Sequence, residues 1–143
     1  MKNKKISVVV SVYNEELSLN QFYKTTVDVL EQCAWDYELI FVNDGSQDKS
    51  VALLKSFAEE NKKVKVVDFS RNFGHEAAMI AGIDYAKGDG IVCMDADLQH
   101  PPACIPEIIA KFEDGYEVIS MIRTKNADAG IIGVYYAQNG CII

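Results

Sequence analysis

Five short runs rich in β-branched residues alternate with four segments of helical period, and this alternation limits the chain more than any other feature. The runs are Ile6–Tyr13 (ISVVVSVY), Tyr37–Val42 (YELIFV), Val64–Phe69 (VKVVDF), Ile91–Met94 (IVCM) and Glu117–Ile122 (EVISMI). Apolar runs this short and continuous suit strands buried on both faces of a parallel sheet. Between them, Leu19, Phe22, Thr26, Leu30 and Cys33 fall on one helical stripe, and Val51, Leu54, Phe57 and Ala58 on a second. Ala77 to Ala86 is small and apolar nearly all round, with a helix start expected near His75; Ile105, Ile108, Ile109 and Phe112 form a fourth stripe. The order β-α-β-α-β-α-β-α-β predicts an α/β fold with right-handed crossovers: three layers, α/β/α, around a mostly parallel sheet. No internal repeat, linker or low-complexity tract interrupts it.

Composition narrows the function classes. With 143 residues, 49% of them apolar and 24% charged, the chain has one domain's length and is neither disordered nor coiled coil. No apolar stretch approaches the roughly 18–20 residues that cross a bilayer. The basic start Met1-Lys2-Asn3-Lys4-Lys5 is followed by a strand-like run without a cleavage site, so a cytoplasmic chain is expected. A net charge of −7 argues against nucleic acid as the main partner. Cys33, Cys93, Cys104 and Cys141 lack CxxC spacing and read as reduced, mostly buried thiols. Residues 1–128 are expected to form the core. The tail 129–143 (from Ala129, AGIIGVYYAQNGCII) carries no charge. Three readings of it stay open: a buried last strand or helix, a surface covered by a partner such as a second copy, or a chain stopping short of its domain end.

Ligands of an open parallel sheet bind beyond the carboxyl ends of its strands. Behind the five runs stand Asn14-Glu15-Glu16, Asn43-Asp44-Gly45-Ser46, Ser70-Arg71-Asn72-Phe73-Gly74-His75, Asp95-Ala96-Asp97-Leu98-Gln99-His100-Pro101-Pro102, and Arg123. Correct strands would bring all of these to one edge. Asp95 and Asp97 point the same way if the chain stays extended, and two such carboxylates repel unless a cation lies between them. Hard oxygen ligands suit Mg²⁺ or Mn²⁺, with Gln99 as a third oxygen; a solvated turn is the plainer alternative. Pro101 keeps His100 out of helical geometry and Pro102 can open the next helix. Gly45 permits positive φ, Ser46 or Asp48 can cap the following helix, and Asp44 is left over to accept a nucleobase N–H. Arg71 and Gly74 beside a helix start form a natural anion site. His75 and His100 read as structural loop residues, and Lys62-Lys63-Val64-Lys65 as a solvated approach to a strand. No Gly-x-Gly-x-x-Gly, Walker P-loop or Gly-x-Ser-x-Gly is present. A sugar nucleotidyltransferase would carry a Gly-rich basic segment where Val12-Tyr13-Asn14-Glu15 stands.

The set Val12–Glu16 (VYNEE), Val42–Ser46 (VNDGS), Ser70–Gly74 (SRNFG) and Asp95–Pro102 (DADLQHPP) resembles the family-2 glycosyltransferases of the GT-A fold. Within them it is most similar to the polyisoprenyl-phosphate branch, of the dolichol-phosphate mannose synthase and bactoprenol glucosyltransferase type. The match runs from about Ile6 to about Arg123. The resemblance implies a UDP- or GDP-sugar donor, a divalent metal on its diphosphate, and a polyprenyl phosphate or glycan acceptor that draws the chain to the inner face of the membrane. By position, Tyr13, Asn14 and Glu15 would line the nucleoside pocket, with Asp44, Gly45 and Ser46 at the base. Arg71, Asn72, Gly74 and Ala96 would neighbour the donor. Asp95, Asp97 and Gln99 would hold the metal, and Arg123 would meet phosphate. Single displacement would invert the anomeric carbon. Members of this branch continue well past the fifth strand, so a donor-binding module without an acceptor site is the competing expectation.

Overall fold

The computed structural model describes residues 3–97, 102–116, 118–121 and 134–137, the last two stretches as backbone. The chain divides into two units, Met1–Ala103 and Cys104–Ile143. The expected boundary at residue 128 lies outside the described residues.

In the first unit β1 (Lys5–Val12), α1 (Leu19–Glu31), β2 (Asp36–Asn43), α2 (Ser50–Glu60), β3 (Val64–Asp68), α3 (His75–Tyr85) and β4 (Gly90–Asp95) alternate as the sequence predicts. The four strands are parallel, in the order β3-β2-β1-β4. Paired residues share a face, so the register separates two cores. Val9, Ile40 and Val42 face Ala78 of α3. On the other face Phe41 meets Phe22 of α1 and Phe57 of α2, at 6.4 and 6.1 Å between ring centroids. Tyr23 and Phe57 stack 4.0 Å apart and join α1 to α2. Helices on both faces of a parallel sheet give the α/β/α architecture.

Two-faced burial holds for β1 and β2 and fails at the edges. In β4, Val92 and Met94 are buried while Ile91 and Cys93 are exposed. Among the described residues α3 lies over β1 and β2 rather than over β4. Cys93 is therefore no buried thiol; Cys33 and Cys104 are half-buried, and Cys141 lies outside the described residues. The close seating of α3 depends on Gly82, where a Cβ would stand 2.2 Å from Val9 Cγ1. Val9 is fully buried and has no room to retreat. Gly82→Ala should lower stability by about 2 kcal/mol, the usual range for overpacking; chemical denaturation giving a loss near zero would show that α3 can lift without cost.

A 3₁₀ turn, Pro102–Cys104, begins at the end of the first unit and leads into α4 (Ile105–Glu113) of the second, whose Ile105, Ile108 and Ile109 are buried as the stripe predicts. Pro102 opens this helical segment as expected. The fifth run does form a strand, β5 (Val118–Met121), but it pairs antiparallel with β6 (Val134–Ala137) in a two-stranded sheet of its own. The parallel fifth strand expected from the sequence is thus corrected among the described residues. An antiparallel partner needs no helical crossover, and a four-residue apolar run does not encode the direction of its neighbour. Part of the uncharged tail is therefore a strand.

Candidate functional site

Register brings the strand ends level. Ser11 lies beside Asp95, Val12 beside Asn43, and Asn43 beside Asp68. The chain therefore leaves four neighbouring strands on one edge, at about 4.8 Å spacing.

The loops after β1 and β2 are laced together. Asn14, in the left-handed region at φ 52° that Asn tolerates, donates its N–H to Ser46 Oγ at 2.9 Å and accepts the Gln47 N–H at 2.8 Å. The Glu15 N–H donates to Ser50 Oγ at 3.0 Å, and the Glu16 N–H to Asp48 Oδ2 at 3.2 Å. Asp48 Oδ1 accepts the Ser50 N–H at 2.9 Å just ahead of α2, whose N-cap position is Lys49 with no side-chain cap bond, and the Ser46 hydroxyl is used by Asn14. Burial pushes the Asp48 carboxyl up, but its bonds from Ser50 and Glu16 outweigh this and hold it below the usual carboxylate range.

A second joint ties the β2 loop to the β3 loop. Gly45, at φ +75°, passes so close to the Arg71–Asn72 backbone that a Cβ there would lie 2.3 Å from Asn72 N. The Asn72 side chain donates to the Asp44 carbonyl at 3.1 Å. Asp44, expected as the carboxylate left over for a base, is instead buried and occupied. Its Oδ1 accepts the Phe73 N–H at 2.7 Å, and both oxygens lie 3.2–3.3 Å from the Gly74 N–H. From the β2 loop this carboxylate reaches the bend before α3 and satisfies two N–H groups just ahead of the helix.

The loops enclose a polar cavity of about 450 Å³ lined by Tyr13, Asn43, Gly45, Ser46, Arg71 and Asn72, with Gln47, Val51, Asp68, Phe69 and Ser70. Tyr13 is half-exposed there. The Arg71 guanidinium sits 4.1 Å above the Phe73 ring, which meets Phe69 edge to face. Asn43 is fully buried; its amide donates to Asp68 Oδ1 at 2.8 Å and its carbonyl accepts the Ser46 N–H at 3.2 Å. Asp68 was not singled out in the sequence, although an acidic residue closing a strand was the available signal.

At the end of β4, Asp95 is the last strand residue and Ala96-Asp97 form a turn. The chain is thus not extended beyond Asp95, and the alignment of the two carboxylates expected from a strand is not met. Asp95 Oδ1 lies 2.7 Å from His75 Nε2 and 3.4 Å from Ser11 Oγ. His75, first residue of α3, is a hydrogen-bonding partner as the sequence suggested. The Ser18 hydroxyl donates to the Ala96 carbonyl at 2.8 Å and lies 3.1 Å from a Glu15 carboxylate oxygen. It makes no cap bond to α1; the hydroxyl joins the β1 and β4 loops instead. Among the described residues no three His, Cys, Asp or Glu side chains gather as a metal cage. Asp95 and Asp97 are each half-buried and two residues apart at this strand end, and oxygen ligands of that kind suit Mg²⁺ or Mn²⁺, which commonly take one or two carboxylates and fill the remaining positions with phosphate and water. Gln99 and Arg123 lie outside the described residues, as does His100. No described helix is long and apolar enough to cross a membrane.

The chain is 51% identical over 119 residues to an uncharacterised glycosyltransferase, YkcC, of Bacillus subtilis, covering 83% of this chain and 37% of that protein. It is 42% identical over 129 residues to the undecaprenyl-phosphate 4-deoxy-4-formamido-L-arabinose transferase of Proteus mirabilis, covering 90% and 40%. It thus spans about 40% of the length of these relatives. The mannosyltransferase PcManGT of Pyrobaculum calidifontis, solved with GDP-Man and Mn²⁺, shares the fold at a TM-score of 0.58 and 20% identity, over 68% of this chain and 28% of that one. The fold is of the GT-A type. Residues 7–133 match the model of Glycosyl transferase family 2, and the chain belongs to that family.

Proposed function

We propose that the chain carries the donor half of an inverting, metal-assisted glycosyltransferase, which moves a sugar from a nucleoside-diphosphate sugar to a polyprenyl phosphate or a glycan. The observation that carries this reading is the laced edge: loops from three strands enclose one polar cavity, and a carboxylate pair stands at the end of the fourth. The GDP-Man and Mn²⁺ of the mannosyltransferase, and the undecaprenyl phosphate in the transferase relative's name, support the donor, metal and acceptor classes.

In this reading Tyr13 stacks on the base, and Asn14, Glu15, Ser46 and Asn72 hold the walls. Asp44 positions the Arg71–Gly74 loop, and the Arg71 guanidinium attracts the diphosphate. Asp95, Asp97 and Gln99 would hold the metal, which when bound neutralises charge on the departing diphosphate. Ser11 and His75 orient Asp95, and Ser18 fixes the Ala96 backbone. Arg123 would meet phosphate of donor or acceptor. A phosphate monoester, with a second pKa of about 6, is already ionised near neutrality and attacks without a general base. An alcohol acceptor would need one.

Asp97→Ala tests the assignment. With UDP and Mn²⁺ at about 100 times the dissociation constant, the unaltered chain should gain roughly 2.7 kcal/mol of apparent stability. Asp97→Ala should lose the Mn²⁺-dependent part and keep its ligand-free melting midpoint. Equal stabilisation of both proteins in a thermal-shift assay would refute the metal assignment.

A further inference from the structure

We propose that α3 is the seam of a symmetric dimer, in which it packs antiparallel against α3 of a second copy of this chain. The pairing needs neither nucleotide nor metal, so it stands apart from the reading of the cavity.

α3 is apolar over more of its surface than the sheet covers. Ala78 and Gly82 are buried, yet Ile80 is 61% and Ile83 42% exposed. A helix apolar nearly all round is normally covered on every side, and large apolar side chains left bare together mark a contact surface. Glu76, Ile80 and Ile83 recur at the spacing that places residues on one helical stripe, and all three are exposed. Asp84, the other exposed acid of the helix, lies off this stripe. Lys87, also exposed, stands two residues past the last helical position. Among the described residues neither the Glu76 carboxylate nor the Lys87 ammonium has an ion-pair partner.

The order of these four residues indicates what covers them, because acid-Ile-Ile-base is its own complement when reversed. Glu76 with Lys87, and Ile80 with Ile83, are both centred between residues 81 and 82. A two-fold axis at that point makes an isologous contact, in which each pairing occurs twice. Ile80 then meets the partner's Ile83, and Glu76 meets the partner's Lys87. Sliding the helices by one turn sets Ile83 against the partner's Glu76, or Ile80 against the partner's Lys87, so one register is favoured. A parallel pair would face acid with acid and base with base. α3 begins where His75 meets Asp95 at the cavity edge, so the antiparallel pair keeps the two cavities at opposite ends and neither copy covers the other's. The contact of one short helix is small, at or below the low end of specific interfaces, about 1,200 Å². Pairing should therefore need concentrated protein.

Sedimentation velocity and light scattering on the full chain, from about 5 to 500 µM, read the mass. It should rise from that of one chain toward that of two. Ile80→Glu should weaken the dimer at least about tenfold, since the substitution enters the contact twice. Lys87→Glu makes both end pairs like-charged and should weaken it about fivefold; adding Glu76→Lys restores opposite charges and should bring the dissociation constant back to within about threefold of the unaltered chain's. Lys87 reaches the buried Glu38 carboxylate through its backbone N–H, which the substitution keeps. Melting midpoints check that the variants fold; should Ile80→Glu fail to, the charge variants decide. The mass of one chain throughout, whether another stretch of the chain or a different protein covers α3, would overturn the pairing. So would a dimer that Ile80→Glu and Lys87→Glu leave unchanged, or one that the double reversal does not restore.

Discussion

Glu38→Ala should destabilise the chain by about 3 kcal/mol, the scale for removing one partner of a buried charge network. Glu38 is on β2, on the face covered by α3, and is 2% exposed. The Ser7 hydroxyl and the Lys87 N–H each donate to Oε1 at 2.6 Å, and the Lys65 ammonium pairs with Oε2. Ser7 Oγ in turn accepts the Gly88 N–H at 2.8 Å. The carboxylate therefore ties β1, β2 and β3 to the α3–β4 connection, at the end of the sheet opposite the cavity. Alanine would leave a buried hydroxyl and a backbone N–H without an acceptor, together with a void. Lys65 was expected to be merely solvated; it is half-exposed, but its ammonium closes this network.

The same group makes stability depend on pH. Burial pushes the Glu38 carboxyl up, but bonds from Lys65, Ser7 and Lys87 outweigh it, and its pKa lies below the ordinary 4.5. A lowered folded pKa means that the unfolded chain takes up the proton first. The contribution is thus fully present above pH 4.5 and is lost as pH falls through the folded value. As pH is lowered from neutrality to below 4.5, denaturant midpoints should fall more for the unaltered chain than for Glu38→Gln, which has no proton to gain. Identical acid slopes would remove Glu38 from the account.

Much of the sheet was legible because β-branched runs and helical stripes are local signals. β1 to β4 and the helices between them arise from their own residues. What was not legible depends on partners far away in sequence. Glu38 reads as an ordinary polar residue within YELIFV, and its three partners come from β1, β3 and the α3–β4 connection. The direction of β5 is set by residues 134–137, which carry no sign of it. Asp44 and Asp95 were visible as strand-end carboxylates and Asp68 was not, nor was it visible which oxygens were already in use. Asp44 spends its own on N–H groups about 30 residues on, and Asp68 keeps one. Turn chemistry did carry over: the glycine of Asn43-Asp44-Gly45-Ser46 stands in the left-handed region that the motif demands.

Gly45→Ala should cost about 3 kcal/mol and nearly abolish nucleotide binding, because two penalties coincide at one atom. An L-residue at φ +75° carries a conformational cost of roughly 1–2 kcal/mol. The added methyl would also meet backbone, at 2.3 Å from Asn72 N and 2.5 Å from Arg71 C, and backbone cannot swing aside as a side-chain tip does. Relief requires moving the Arg71–Asn72 segment off the β2 loop. That movement stretches the Asp44 bonds to Phe73 and Gly74 and carries Arg71 out of the cavity. Gly115→Ala separates the two penalties. Gly115 also has positive φ, +93°, but among the described residues nothing lies within 4 Å of the position its Cβ would take. It should pay the conformational cost alone, about 1 kcal/mol, and leave nucleotide binding unchanged. Paired denaturation curves and UDP titrations would settle the comparison. If the two variants lose equal stability and bind UDP equally well, the contact between Gly45 and the Arg71–Asn72 backbone does not hold the cavity together, and the loops keep their places by the side-chain bonds of Asn14, Asp44 and Asn72.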